Sequence, residues 1–159
     1  MFGKVRSLLS RKAARSPHLD LGERGERAAL EYLRDYEGYL IVARNFRVPV
    51  GRAMNGRRLT AEIDIIAYDE GTLVFVEVKT RSSDQMFAPE RAVDLRKQRH
   101  IARAAHRYRR LMRVTAEPYR YDVVTVVPEP EGNRVALLRG YFDDRVFQRG
   151  RFFKEDEYY

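Results

Sequence analysis

The chain has 159 residues, enough for one domain with a real hydrophobic core, and it carries 31 Lys and Arg against 23 Asp and Glu, a net charge of +8. It contains no cysteine and only three scattered histidines, which excludes disulfide frameworks and cysteine-ligated zinc and disfavours a zinc enzyme of any kind. No apolar run approaches a membrane span, so a cytoplasmic location is expected, and the basic excess favours a polyanionic partner such as nucleic acid.

Residues 1–19 hold Lys4, Arg6, Arg11, Lys12 and Arg15 around the short apolar pair Leu8-Leu9, and read as a basic, flexible N-terminal tail. A single domain is expected over residues 20–147, followed by an aromatic and acidic C-terminal tail over 148–159. Asp20 with Glu23 resembles an N-cap box, and helical spacing follows from Leu21 to Tyr36. Gly25, Ala28, Ala29, Leu30, Tyr32, Leu33 and Tyr36 form the apolar arc of that helix, with Glu26 inside it. An acid on the buried side either faces a site or is a half-solvated carboxylate favoured by the helix dipole.

Tyr39 to Arg47 reads as a strand and Pro49 to Arg58 as a basic loop containing the tight-turn pair Asn55-Gly56. Two apolar runs follow, Glu62 to Ala67 and Leu73 to Lys79, joined by Asp69-Glu70-Gly71. Their composition predicts a hairpin buried on both faces. With an even-numbered loop, Asp64 falls across from Glu77 and Glu62 across from Lys79, while strand alternation puts Glu77 and Lys79 on one face. A one-residue slip would separate the acids unless a bulge restored them.

Ala88 to Val114 reads as a helix opening near Pro89, with Ile101, Ala104, Ala105, Tyr108 and Met112 as its stripe. It carries Arg91, Arg96, Lys97, Arg99, Arg103, Arg107, Arg109, Arg110 and Arg113 against Glu90 and Asp94, which makes it the best candidate for a nucleic-acid surface, with about half of these arginines ascribed to ordinary solvation. Lys97 and Gln98 fall on its apolar side and are expected to support the site from behind; His100 and His106 are expected on the flank, without a catalytic role. Tyr119 to Val127 and Arg134 to Tyr141 complete the set as strands. The order helix, strand, hairpin, helix, strand, strand predicts an α/β domain with a mixed central sheet flanked by helices, not doubly wound.

Buried carboxylates need compensation, and Asp64 and Glu77 match the one or two carboxylates with which magnesium is usually held. Lys79 is placed to orient a water or stabilise developing charge, and Glu26 to hold a water or a second ion.

Gly25-Glu26, Glu62-Ile63-Asp64, Val76-Glu77-Val78-Lys79-Thr80-Arg81, Lys97-Gln98 and Tyr121-Asp122-Val123, in this order over Leu21 to Val127, resemble the YraN-like family of bacterial proteins. That resemblance implies the restriction-endonuclease-like fold, similarity to archaeal Holliday junction resolvases, and a PD-(D/E)xK site. Asp64, Glu77 and Lys79 then occupy the motif positions, Glu26 is the helix acid, and the Val78 carbonyl is a further ligand for Mg2+ or Mn2+. Ala61 stands where the family usually has glycine, and the Pro49 to Leu59 stretch is longer than usual; it adds Arg52, Arg57 and Arg58, a substrate grip or a solvated hairpin. The expected function is metal-dependent hydrolysis of branched or structured DNA, with Arg57, Arg58, Arg99, Arg103, Arg107 and Arg110 on the nucleic acid and a homodimer suggested by the resolvases. The alternatives are a non-catalytic nucleic-acid-binding or adaptor module, and an interaction subunit with a patch of Phe142, Phe147, Phe152 and Phe153.

Overall fold

The computed structural model describes residues 17–81 and 92–148. In chain order they form α1 (Pro17–Glu31), β1 (Leu40–Arg52), β2 (Arg58–Asp69), β3 (Thr72–Thr80), α2 (Leu95–Leu111), β4 (Tyr119–Glu129) and β5 (Gly132–Phe142). The fold is α/β. One mixed sheet runs β1-β2-β3-β4-β5, antiparallel throughout except for the parallel pair β3 and β4, which needs a crossover that α2 supplies. One core layer packs Ile63, Ile66, Phe75, Tyr121 and Val123 against Ile101, Ala105 and Tyr108 of α2; the other packs Ile65, Val74, Val76 and Val124 against Ala29 and Leu33 of α1. Buried on both sides, β3 and β4 read as continuous apolar runs.

Several boundaries differ from the sequence expectation for identifiable reasons. α1 opens at Pro17, whose missing N–H costs nothing in a first turn, so Asp20 lies inside the helix and is not its cap. The helix then widens into a π-type turn over Tyr32–Tyr36, which breaks the 3.6-residue period and leaves Tyr36 83% exposed instead of on the buried arc. β1 continues through Pro49 to Arg52, so Pro49 to Arg58 is the far end of a hairpin with only residues 53–57 in its turn. Proline is tolerated there because β1 is an edge strand and its register shifts between Pro49 and Gly51. The N-terminal end expected for α2, near Pro89, lies outside the described residues; the helix begins at Leu95, where the Asp94 side chain accepts the Lys97 N–H at 2.8 Å. Met112 follows the last turn as the C-cap and is half exposed, not part of the stripe. The two tails lie almost wholly outside the described residues.

Phe142 stacks on Tyr121 with ring centroids 4.4 Å apart, and Phe147 packs 5.7 Å from the His106 ring, so neither forms the exposed patch considered above; Phe152 and Phe153 lie outside the described residues. Asp144, just beyond β5, accepts from Tyr121 at 2.8 Å, from the Tyr119 hydroxyl and from His106. Burial pushes its carboxyl up, but these three hydrogen bonds outweigh that and hold it below the usual carboxylate range.

A buried polar network fixes the end of the sheet where β4 begins. Asp122, fully buried, accepts the Gly140 N–H at 2.8 Å, Arg120 Nε at 3.0 Å and the Tyr39 hydroxyl at 3.1 Å, and Arg120 reaches on to Asp69 at the end of β2. The backbone bulges here: Tyr121 pairs with Phe142 but Val123 with Leu138, and Gly140 takes φ 58°. Asp122→Ala leaves Arg120 with Asp69 as its remaining carboxylate and strands the Gly140 N–H, and should cost about 2–4 kcal/mol in denaturant unfolding; a loss under about 1 kcal/mol would show that the network contributes little.

Candidate active site

The site forms where β2 parts from β3. Glu70 and Gly71 both take positive φ, 45° and 85°, the conformation of a two-residue hairpin turn whose twist matches the strands. From it the pairing runs Asp69 with Thr72 through Ile65 with Val76, and one further step along this register brings Asp64 level with Glu77. The β2–β3 ladder ends there. β2 continues against β1 toward Arg58, and β3 continues against β4 to Thr80, leaving a notch between the two halves of the sheet.

At the notch β1 and β2 reverse their facing together. Ala61 and Ile63 pack toward α2, yet Ile65 and Ala67 pack toward α1; Asn45, across from Asp64, takes φ 49°. This irregularity turns the Asp64 carboxylate into the gap, where Oδ2 accepts the Val78 N–H at 2.7 Å in place of a ladder carbonyl. Because N–H and C=O of one strand residue point to the same side, the Val78 carbonyl opens on the same notch. Glu62, expected to share the Asp64 face and oppose Lys79, ion-pairs instead with Arg47 on β1 at 2.9 Å, since the reversal and the end of the ladder separate it from β3.

Glu77 is 2% exposed on the α2 side of β3. Its Oε1 receives Lys79 Nζ at 2.8 Å and Lys97 Nζ, from the first turn of α2, at 3.1 Å. Its Oε2 is buried and has no hydrogen-bond partner. A carboxylate oxygen shielded from water and given no donor is costly. Asp64 carries a related signature: burial first, and the Glu77 charge second, push its carboxyl up to about 7, with Glu26 adding to the rise and Val78 N–H and Lys97 opposing it. Among the described residues no three His, Asp or Glu side chains converge as a ready-made metal cage. Two carboxylates and a main-chain carbonyl suit magnesium, which usually fills its octahedron with waters and substrate oxygens.

Glu26 approaches from the opposite face, and Gly25, which helical spacing places on the apolar arc of α1, puts it there. Gly25 lies against Thr80: a Cβ at position 25 would sit 1.8 Å from Thr80 Oγ1. Only glycine lets α1 come this close to the end of β3, and a buried glycine inside a helical pattern was the available signal. Asn45 was equally legible as a left-handed position within a strand. Gln98 does not face the carboxylates; with α2 starting at Leu95 it lies in the first turn, where Nε2 donates to the Val93 carbonyl at 2.8 Å and braces the approach to the helix. Arg99 donates to the Val146 carbonyl at 2.9 Å, a structural tie that occupies its Nε. Arg103, Arg107 and Arg110 are exposed on α2, and Arg57 and Arg58 are exposed at the tip of the β1–β2 hairpin.

A profile described as uncharacterised protein family UPF0102 matches residues 25–126, a span that opens one residue before Glu26 and takes in Asp64, Glu77, Lys79 and Lys97. The chain belongs to this family. It is similar to the UPF0102 protein of Symbiobacterium thermophilum, 44% identical over 77% of this chain and 95% of that one, and to that of Bacteroides thetaiotaomicron, 39% identical over 82% and 98%. A solved structure described as SSO0001 aligns with a TM-score of 0.42 and 15% identity, over 84% of this chain and 59% of that one, a likeness too loose to bear on fold or function. UPF0102 is the YraN-like family that the motifs resemble. No helix among the described residues is long and apolar enough to cross a membrane.

Two outcomes follow for the metal-free protein. The Asp64 carboxyl, near pH 4 when unfolded and raised in the fold, binds more protons in the native state, so its contribution is present at low pH and is lost as pH rises through about 7. Thermal melting should therefore fall between pH 4 and 7, and Asp64→Asn should flatten that slope; an unchanged slope would mean the Asp64 carboxyl is not raised. Gly25→Ala should destabilise by about 1–3 kcal/mol through the clash with Thr80, and the double variant Gly25→Ala/Thr80→Ala should recover part of the loss.

Proposed function

We propose that this UPF0102 member is a metal-dependent phosphodiesterase acting on DNA in the cytoplasm, cutting by attack of water on the backbone. The observation that carries the reading is the buried, donorless Glu77 Oε2 beside the raised Asp64 carboxyl, in a strongly basic chain. Asp64, Glu77 and the Val78 carbonyl are the groups that would hold Mg2+ or Mn2+. When bound, such an ion polarises a phosphoryl oxygen and lowers the pKa of water.

The remaining roles belong to the chain itself. Lys79 holds its ammonium on Glu77 with 30% of the side chain exposed, so it keeps protons free to stabilise charge developing on the phosphate or to orient the attacking water. Lys97, paired with the same oxygen, fixes the Glu77 rotamer and ties α2 to β3. Glu26 adds a third negative charge near Asp64 from the α1 side, where it can order a water. Branched DNA is the substrate the resolvase resemblance suggests, with a homodimer as the working assembly.

One observation favours a second reading, a nucleic-acid-binding module that cuts nothing: Lys79 and Lys97 already neutralise Glu77 without an added ion. Cleavage of a four-way junction and of supercoiled plasmid, with magnesium or manganese, separates the two. Wild-type protein should cut, and Asp64→Asn should be slower by about 100-fold or more. Equal rates in both would remove the notch as the active centre, and metal-independent binding without cleavage by wild type would establish the second reading.

A further inference from the structure

Resting on that reading but tested apart from it, we infer that a groove between α2 and the outer end of β1 grips the sugar-phosphate backbone of a DNA duplex. The groove has a volume of about 360 Å3 and is lined by Arg103, His106, Arg107 and Arg110 on one wall and by Pro49, Val50 and Gly51 on the other.

Three features mark it as built for an anion. Arg103, Arg107 and Arg110 recur at helical spacing along one flank of α2, within about 10 Å, which is roughly three steps of a strand at 3.4 Å along the duplex axis. Among the described residues none of the three has a carboxylate partner, whereas Arg34, Arg47, Arg120, Arg134, Arg139 and Arg145 all have one. His106 is turned to Asp144 at 2.8 Å, so the arginines supply the groove's charge.

The opposite wall leads directly into a second basic element. Beyond Gly51, Arg52 pairs in register with Arg58, placing like charges across a strand pair where they oppose folding, and exposed Arg57 adds a third at the same tip. A polyanion lying between the tip and α2 relieves that repulsion and engages both walls. Since β1 bulges between Pro49 and Gly51, the arm is bent at the point where it borders the groove. Such contacts position a backbone and read no sequence.

The test is anisotropy of a fluorescein-labelled mixed-sequence DNA duplex across a salt series in EDTA, using Asp64→Asn protein so that no cleavage intervenes. Arg103→Ala/Arg107→Ala/Arg110→Ala should bind more weakly and lower the slope of log K against log salt by about 2 to 3, near 0.9 per lost phosphate contact. The corresponding triple Lys variant should keep most of the slope. An alanine variant that melts like its parent and retains the parent slope overturns the proposal, as does equal loss in the lysine and alanine variants. Failure of the nuclease reading alone has a different signature: the salt slope shifts as stated while wild-type protein cuts no DNA.

Discussion

The parting of β2 from β3 after Ile65 and Val76 is the constraint on which the rest of the architecture depends. A strand pair normally consumes its polar backbone groups in a ladder; here the ladder is stopped and Asp64 takes over the Val78 N–H. Once that substitution is made, the hairpin arm can diverge, α2 can seat across β1 and β2, and the space between the two halves of the sheet collects charge. Burying Glu77 at 2% exposure would be hard to sustain in an ordinary sheet. Two lysines from different elements make it tolerable, and they do so on one oxygen only.

Two buried acidic centres thus have opposite characters. Asp122 is saturated: both oxygens are engaged, by Gly140, Arg120 and Tyr39, and the group serves to lock the bulged start of β4 to the turn end of β2. Glu77 is half satisfied, and Asp64 is held against its own preference for charge. One carboxylate is completed by the fold, whereas the other two are left partly unsatisfied by it. The contrast is internal to one sheet, so it does not depend on comparing proteins.

Much of this was legible in the chain. The hairpin register followed from the apolar pattern and the short turn, and it brings Asp64 level with Glu77; the α2 stripe predicted Ile101, Ala104, Ala105 and Tyr108 as core. What escaped is local geometry that alternation and helical period do not encode. The reversal at Asn45 and Asp64 sends Glu62 to Arg47, the π-type turn exposes Tyr36, and the cap at Asp94 sets the phase that points Gln98 at Val93. In each case a local backbone feature overrode a periodic rule. The extension of β1 past Pro49 was missed because proline reads as a strand breaker, although at an edge it removes no sheet hydrogen bond.

The parallel pairing of β3 with β4 has a consequence for how the protein comes into being. Asp64 and Glu77 belong to one hairpin, whereas Glu26 and Lys97 come from helices distant along the chain, and β4 can settle beside β3 only after α2 has crossed the sheet. Contacts of such long sequence separation form late, after their loop-closure entropy has been met. The β2–β3 hairpin alone brings Asp64 level with Glu77, but Lys97 reaches Glu77 only once α2 has crossed the sheet. The helix that makes the parallel pairing possible is thus also the one that carries the second ammonium to the buried carboxylate.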